Sequence, residues 1–296
     1  MLIKILQRKY HKKKTLFDTL RHTQENNGVV NIHRLDTHNV GDFYCAPHHY
    51  FDTLTGKSLD IFAYKRKEKE VRQHFVESVS NNGLIIGGGG LLNRNGFANQ
   101  MNMFEKLGAK GKKVVLWGVG HNSKEKETYD NVTNYNIDVT KFGLVGTRDM
   151  SMPGEYVPCV SCLHPVFDEI YDPIQEIGVV FHKDTVKKPK IVSLFKEYPT
   201  SSNTTDLQGL INFIGASEKI VTDSYHVMYW SMLLGRKVVV IPNSSKFFDF
   251  QHRPVVTTFE DALGAFAKAE TYPSLLAECR EINRTFADKA FDYLNI

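Results

Sequence analysis

Short apolar runs alternate with longer helical patterns along most of this 296-residue chain. Many of the runs end at Gly, Asn or Asp, and a helical pattern follows before the next run, which is typical of parallel strands joined by crossover helices. The first half of the chain predicts strands at residues 28–33, 84–86, 114–117, 143–146 and 156–158. The second half predicts strands at residues 177–181, 190–194, 219–222, 237–241 and 255–257. We therefore expect an α/β fold with mostly parallel sheets.

The strand pattern restarts after the segment HPVFDEIYDP at residues 164–173, which is rich in proline and acidic residues. This segment predicts a boundary between a Rossmann-like domain over residues 1–168 and a second one over residues 169–296, which ends in a long helix at 273–294. Two such domains facing each other leave a cleft at the carboxyl ends of their strands, where α/β proteins bind ligands.

Composition and charge exclude several classes of protein. The chain is 42% hydrophobic and 24% charged, as globular proteins are, and has no apolar run of the ~20 residues that span a bilayer. We expect a cytoplasmic protein. Residues 1–28 carry seven Lys or Arg against two acidic residues, while the rest of the chain is slightly acidic. No nucleic-acid partner is predicted; the segment is a solvated helix face or a peripheral contact with an anionic membrane.

The four cysteines are too few for a disulfide framework in a chain of this length, which favours a reducing compartment. Cys159 and Cys162 have C-x-x-C spacing, but no second pair completes a structural zinc site. In a thioredoxin-like motif a helix begins directly after the cysteine pair, whereas Pro165 follows in this chain. We interpret both as buried structural residues and predict no metal site.

Unusual residues follow the strands of the first half. Asn39, Gly41 and Asp42 form a turn in which Asp42 caps a helix or binds a hydroxyl group. Among the four glycines at 87–90, Gly88 and Gly89 either admit a ligand to the backbone or form a close-packed turn. His121 ends the run WGVGH, and Arg148 follows the next strand. An arginine there suits a carboxylate or phosphate, or pairs structurally with Asp149.

The second half presents its polar residues at three strand ends. The run TDSYH at residues 222–226 passes from a strand into a helix whose first turn favours an anion, and contains Ser224, Tyr225 and His226. A histidine there is a general acid near neutral pH or a structural residue. Together with two further strand ends it predicts an anion-binding rim, to which we assign His182, Lys183, Ser245 and Lys246.

In this order, the motifs NVGD (39–42), IIGGGGLL (85–92), WGVG (117–120), VGTRD (145–149) and TDSYHVMYWSMLLGRKVVVIP (222–242) resemble those of the polysaccharide pyruvyl transferase family. They cover most of residues 29–250. The resemblance implies a GT-B-like pair of Rossmann-like domains, phosphoenolpyruvate as donor substrate with no separate cofactor, and a glycan acceptor that is free, polymeric or lipid-linked. The product would be a cyclic pyruvate ketal.

The resemblance assigns His226 as the acid/base and Arg148 as a contact of the anionic donor. Many family members carry arginine two residues before this histidine, where this chain has Ser224, so Arg148, His182, Lys183 and Lys246 would supply the positive charge. Asp42 is the candidate acceptor contact or base. Two other functions remain open: a GT-B-like glycosyltransferase that uses a nucleotide sugar, and a non-catalytic protein that binds glycan or phosphate.

Overall fold

Two parallel β-sheets form the framework of the protein in a computed structural model, which describes residues 2–296 and their side chains from residue 7 onward. The first sheet has six strands in the order β2-β1-β3-β4-β5-β6. Its strands are β1 (Val29–His33), β2 (Ser58–Asp60), β3 (Gly83–Leu92), β4 (Val114–His121), β5 (Leu144–Thr147) and β6 (Glu155–Tyr156). The α-helices of this half are α1 (Leu2–Arg21), α2 (Val40–Tyr44), α3 (Lys69–Asn81) and α4 (Ala98–Gly108).

The second sheet has five strands in the order β11-β10-β9-β7-β8. Its strands are β7 (Gln175–Phe181), β8 (Thr200–Ser202), β9 (Ser217–Thr222), β10 (Lys237–Val240) and β11 (Val255–Val256). The α-helices are α5 (Pro189–Val192), α6 (Leu207–Gly215), α7 (Tyr225–Leu233), α8 (Ala262–Ala265) and α9 (Leu275–Leu294). Single 3₁₀ turns occupy Pro47–His49, Asp52–Leu54, Ala63–Lys65, Lys126–Thr128, Val139–Lys141, Val160–Leu163, Pro165–Asp168, Ser193–Phe195, Ser245–Phe247 and Phe266–Lys268.

Strand order places a crevice in each sheet. In the first sheet the chain runs outward from β1 to β2 and then returns to β3 on the other side of β1. In the second sheet β7 is likewise flanked by β8 and β9. Ligands of open parallel sheets bind outside the carboxyl ends of the strands at such reversal points. A binding site is therefore expected at the segments that follow β1, β7 and β9 and at the end of β3.

Apolar side chains cover both faces of the first sheet. Helices α3 and α4 bury one face, with Phe75, Met101 and Phe104 fully enclosed. The other face is covered by α9, whose Phe286 packs edge-on against Trp117 of β4. Helix α9 also contacts the second sheet's core through Leu275 and Cys279. The last helix therefore joins the two halves, returning from the second sheet to complete the first.

Helix α7 is buried at all nine of its residues. It lies between the second sheet and the first half of the chain, to which it is tied by two hydrogen bonds. The Tyr229 hydroxyl donates to the Cys159 carbonyl at 2.9 Å, and Trp230 Nε1 donates to Ser161 Oγ at 2.9 Å. A helix that is apolar on every side is typical of the interior between two layers.

The prediction of a strand at residues 190–194 is wrong. The chain is helical there, in α5 and in the 3₁₀ turn Ser193–Phe195, and the strand comes later as β8. Pro189 occupies the first helical turn, a position that proline favours because its missing N–H is not needed there. Leu194 is 47% exposed, so this apolar run does not enter the core as a parallel strand would.

The basic N-terminal segment forms α1, which packs on α3 and the turn Ala63–Lys65. Its Leu16 and Leu20 rest on the apolar cluster beneath, while Lys9, Lys13 and Lys14 are exposed. All four cysteines are buried and free. Among the helices of residues 2–296, none combines the length and the apolar character needed to cross a bilayer.

Candidate functional site

A small polar cavity lies where the reversal points of the two sheets face each other. It has a volume of about 30 Å³, enough for about two water molecules. Both halves of the chain contribute to its lining, which consists of Asn39, Asp42, Gly90, Asn122, Arg148, His182, Asn203, Ser224, Tyr225, His226 and Lys246. Eight of these eleven residues were predicted from the sequence, and the structure brings them together.

The turn after β1 leads into α2, which inserts between the two sheets. Asn39 precedes the helix, and its Nδ2 donates to Asp42 Oδ2 at 2.7 Å. Asp42 does not cap a helix, because it lies within the first turn of α2 and points its carboxylate to the cavity. Burial raises the pKa of Asp42, and the positive charges of Lys246 and Lys183 oppose that shift. Asp42 is thus a carboxylate poised near cations.

Arg148 is the most unusual residue of the site. It follows β5 and is only 2% exposed, and its Nε and Nη2 have no hydrogen-bond partner among the described residues. Its guanidinium lies 4.0 Å from the centre of the Tyr225 ring, a cation–π contact across the two halves. Asp149 is occupied elsewhere, since its Oδ2 accepts from the His121 backbone at 2.7 Å and the Tyr135 hydroxyl at 3.0 Å. A buried arginine with free donors is prepared to bind an anion.

His226 is the second residue of α7, and Ser224 is the N-cap. Its Nε2 is buried without a hydrogen-bond partner in the described part of the chain. Burial, together with the charges of Arg148 and Lys246, lowers the pKa of His226 well below its usual range. The imidazole is therefore neutral at neutral pH in the free protein, and a bound anion would reverse part of this shift.

Lys246 and His182 complete the cationic side of the cavity. Burial, followed by the charges of Lys124 and Arg148, lowers the pKa of Lys246 to about 7. Burial and the charge of Lys246 lower the pKa of His182 to about 4. Asp223 positions the His182 segment, because it accepts hydrogen bonds from the His182 backbone and the Thr185 hydroxyl, both at 2.6 Å.

Some predicted residues lie outside the cavity lining. Gly41 packs against the His226 ring, and Gly88 and Gly89 adopt left-handed backbone angles beneath Cys45. His121 and Ser245 form a buried contact at 2.7 Å between the two halves. Lys183 makes a 3.1 Å ion pair with Asp36 across the same divide. Gly41, His121, Ser245 and Lys183 therefore connect the two halves beside the cavity, while Gly88 and Gly89 pack within the first half.

Three lining residues were not predicted individually. Gly90 is the last of the glycine run, and Asn122 directly follows His121 at the end of β4. Asn203 follows β8, the strand that the sequence misplaced, and its Nδ2 donates to Asn39 Oδ1 at 3.1 Å. Asn122 and Asn203 each carry an amide side chain directly after a parallel strand. This pattern could have predicted them, but only where the strand itself was predicted.

The arrangement is suited to binding a small, highly charged anion. Arg148 and Lys246 supply cationic groups and the buried Nε2 of His226 supplies a proton site. Asp42 lines the same cavity and, like Arg148, follows a strand of the first sheet. With water excluded, such charges interact more strongly than at a surface. A neutral histidine, a carboxylate and a buried arginine in one cavity can support acid–base chemistry on an anionic substrate.

Comparison with known proteins gives little further guidance. No protein-family model and no curated protein matches the chain. A solved structure of a functionally uncharacterized protein from Klebsiella pneumoniae subsp. pneumoniae NTUH-K2044 aligns with 79% of this chain and 88% of its own. The two are 16% identical, with a TM-score of 0.43. The residues of the cavity are thus the basis for any statement about function.

Proposed function

We propose that this protein is a pyruvyl transferase that moves the pyruvyl group of phosphoenolpyruvate onto two hydroxyl groups of a sugar. The observation that carries the proposal is a set of three buried nitrogen atoms, Arg148 Nε and Nη2 and His226 Nε2, that have no partner among the described residues. They belong to one cavity with Lys246 and Asp42. Unsatisfied buried donors around one cavity favour an anionic ligand.

Phosphoenolpyruvate carries a phosphate and a carboxylate on a three-carbon skeleton. Arg148 can bind either group through two parallel N–H donors, and Lys246 adds a charge without a fixed geometry. The start of α7 adds the free backbone N–H groups of its first turn. Because position 224 is serine, its side chain places no positive charge beside His226. The guanidinium of Arg148, which lies on the Tyr225 ring, supplies that charge from the opposite sheet.

The donor is larger than the cavity, so the two halves must separate to admit it. The polar contacts between the halves beside the cavity include Lys183 with Asp36 and Asn203 with Asn39, and opening the cavity would break them. We propose a GT-B-like mode of action, in which the second sheet is the donor side and the first sheet, from which Arg148 reaches the donor, is the acceptor side. Closure would then exclude water from the reacting groups.

The reaction begins with proton transfer to the methylene carbon of phosphoenolpyruvate. His226 is the proposed acid, because the negative charge of the bound donor raises the pKa of a histidine that the free protein holds neutral. Positive charge develops on the neighbouring carbon, which one sugar hydroxyl attacks. The second hydroxyl then displaces phosphate and closes the ketal. Of the two hydroxyl protons released, one restores His226, and the other passes through Asp42 to the phosphate, which leaves as hydrogen phosphate.

Two other functions are distinguished by ligand binding and turnover. Thermal unfolding is measured with phosphoenolpyruvate, inorganic phosphate and a panel of nucleotide sugars, and phosphate release is measured with a panel of glycans. At about 100 times its dissociation constant a ligand adds about 2.7 kcal/mol, which raises the midpoint by several degrees in a chain of this size. The proposal expects phosphoenolpyruvate to stabilise the protein and to release phosphate only when an acceptor is present.

Stabilisation by a nucleotide sugar alone would identify a glycosyltransferase, with Arg148 as a diphosphate contact. Stabilisation by phosphoenolpyruvate without acceptor-dependent phosphate release would favour the non-catalytic binding protein.

We propose that the protein acts in the cytoplasm, a reducing compartment with which its four free cysteines are consistent. We further propose that the exposed basic face of α1 contacts an anionic membrane when the acceptor is lipid-linked.

A further inference from the structure

Three histidines gather beneath α2, at the carboxyl end of β1. His33 is the last residue of β1, and His48 and His49 belong to the 3₁₀ turn Pro47–His49. A ring nitrogen of each lies within 4.8 Å of one from the others. The ring centres of His48 and His49 are 3.9 Å apart, and those of His33 and His48 are 4.8 Å apart. Such close packing of imidazoles requires a cause.

His33 is 0% exposed, and neither of its ring nitrogens has a hydrogen-bond partner among the described residues. Asp60 lies opposite His33 in the register of β1 and β2, but its carboxylate is already held by Arg34 at 3.0 Å and by Arg66 at 3.5 Å. A buried imidazole without a partner is unfavourable, because it loses its hydrogen bonds to water and gains none. A ligand at this cluster would remove that cost.

The other two histidines have one ring nitrogen occupied and one available. His49 Nε2 lies 2.9 Å from the Phe43 carbonyl, to which it can only donate. His48 Nδ1 lies 3.2 Å from Asn31 Oδ1, which also accepts from the His48 backbone at 3.0 Å. These contacts place the proton on one nitrogen of each ring and leave a lone pair on the other. Metal-binding histidines are held in the same way by oxygen atoms behind them.

From this arrangement we infer that His33, His48 and His49 bind a divalent transition metal, with Zn²⁺ as the expected ion. Three neutral imidazoles suit Zn²⁺ in tetrahedral geometry, with a water molecule in the fourth position. Burial lowers the pKa of each of the three, so all are available as neutral ligands at neutral pH. This site is separate from the cavity that contains His226 and does not depend on the proposed function.

The rings must move closer together when the metal binds. Tetrahedral ligands at about 2.0–2.1 Å from zinc are about 3.3 Å apart. Half-buried His48 and His49 lie on a short turn and can rotate toward His33, which is fixed in the sheet. Because His49 also bonds to Phe43 of α2, the metal would secure the base of the helix that carries Asp42.

The test measures metal binding by the full chain, purified without a polyhistidine tag and stripped with a chelator. We compare the wild type with His48→Gln and His49→Gln, whose side chains are half-buried, and with His74→Gln as a matched control. His74 is exposed on α3, where Ser78 is the one described side chain that hydrogen-bonds to its ring. Zn²⁺ is titrated while thermal unfolding is followed, and bound zinc is measured after gel filtration.

We expect the wild type and His74→Gln to retain about one equivalent of Zn²⁺ and to unfold at a higher temperature with it. His48→Gln and His49→Gln should lose both effects. Co²⁺ added to the wild type should give the visible absorption of a tetrahedral nitrogen-rich site, a readout that needs no variant. Zinc binding that is equal in all four proteins, or a wild type that retains no zinc and shows no cobalt spectrum, would overturn the inference.

Discussion

The backbone of Gly41 lies directly against the imidazole ring of His226, and a Cβ atom on Gly41 would overlap that ring. The two residues follow strands of different sheets, since Gly41 is in α2 after β1 and His226 is in α7 after β9. The position of the proposed acid is therefore set by a contact between the two halves of the chain. Neither half forms the site alone.

Substituting Gly41→Ala should disturb this contact. The added methyl group must displace either α2 or the His226 ring, and overpacking of this kind costs about 1–3 kcal/mol. We expect a lower unfolding temperature and at least a tenfold fall in kcat, measured by phosphate release. Gly96→Ala is the control, because a Cβ atom there meets nothing within 4 Å. Equal behaviour of the two variants would show that the contact is unimportant.

Arg148→Met should weaken the binding of phosphoenolpyruvate without lowering the stability of the protein. Two guanidinium nitrogens have no partner among the described residues, so the substitution breaks no hydrogen bond that Nε or Nη2 makes in the free protein. Removing an unpaired buried charge should leave the unfolding temperature at least as high as that of the wild type. Loss of two charge-assisted bonds to the ligand should weaken phosphoenolpyruvate binding by at least about 100-fold. Calorimetric titration measures the affinity, and a wild-type value in this variant would remove Arg148 from the site.

His226→Gln should abolish most of the turnover while the protein still binds its donor. Loss of a general acid costs about 10²–10⁴ in rate. The donor's charge is bound chiefly by Arg148 and Lys246, so the affinity for phosphoenolpyruvate should change less than kcat. His74→Gln serves as the control for the substitution itself. Turnover at the wild-type rate in a folded His226→Gln protein would refute the acid role.

The affinity for phosphoenolpyruvate should fall as the pH rises above about 7. Because the pKa of Lys246 is lowered to about 7, its ammonium group is charged below that pH and increasingly neutral above it in the free protein. A bound anion restores the charge, so binding takes up a proton and weakens by up to about tenfold per pH unit. Between pH 7.5 and 9 the donor's phosphate, with a second pKa of about 6, is already fully ionised. Lys246→Arg keeps its charge, so the part of the pH dependence due to Lys246 should disappear in this variant. An undiminished dependence would assign the proton uptake to His226, whose pKa the bound donor also raises.

The sequence predicts the parallel sheets and most of the cavity for one physical reason. Buried parallel strands are short apolar runs, and their carboxyl ends converge, so the residues that follow such runs meet. Arg148, His226 and Lys246 were found in this way. Asn203 was missed because β8 has the sequence Thr200–Ser202, which has no apolar run to reveal it.

Contacts between separate segments of the chain could not be derived from local pattern. His33 ends β1 and His48 lies in a turn beyond α2, and the two meet because the His48 backbone and ring both bond to Asn31 of β1. The left-handed angles of Gly88 and Gly89 are likewise explained by the approach of Cys45, which is remote in sequence. The ion pair between Lys183 and Asp36 likewise could not be predicted from the local sequence around either residue.

Helix α9 has a consequence for how the protein is made. It supplies Phe286, Ala290 and Leu294 to the face of the first sheet that contains Trp117. A ribosome releases the six strands of that sheet long before it releases α9, so the part of this apolar face that α9 covers stays exposed throughout synthesis of the second half. Emerging domains with such faces are open to aggregation. The domain that is synthesised first is therefore the last to be completed, and a chaperone that protects the Trp117 face during translation should increase the yield of folded protein.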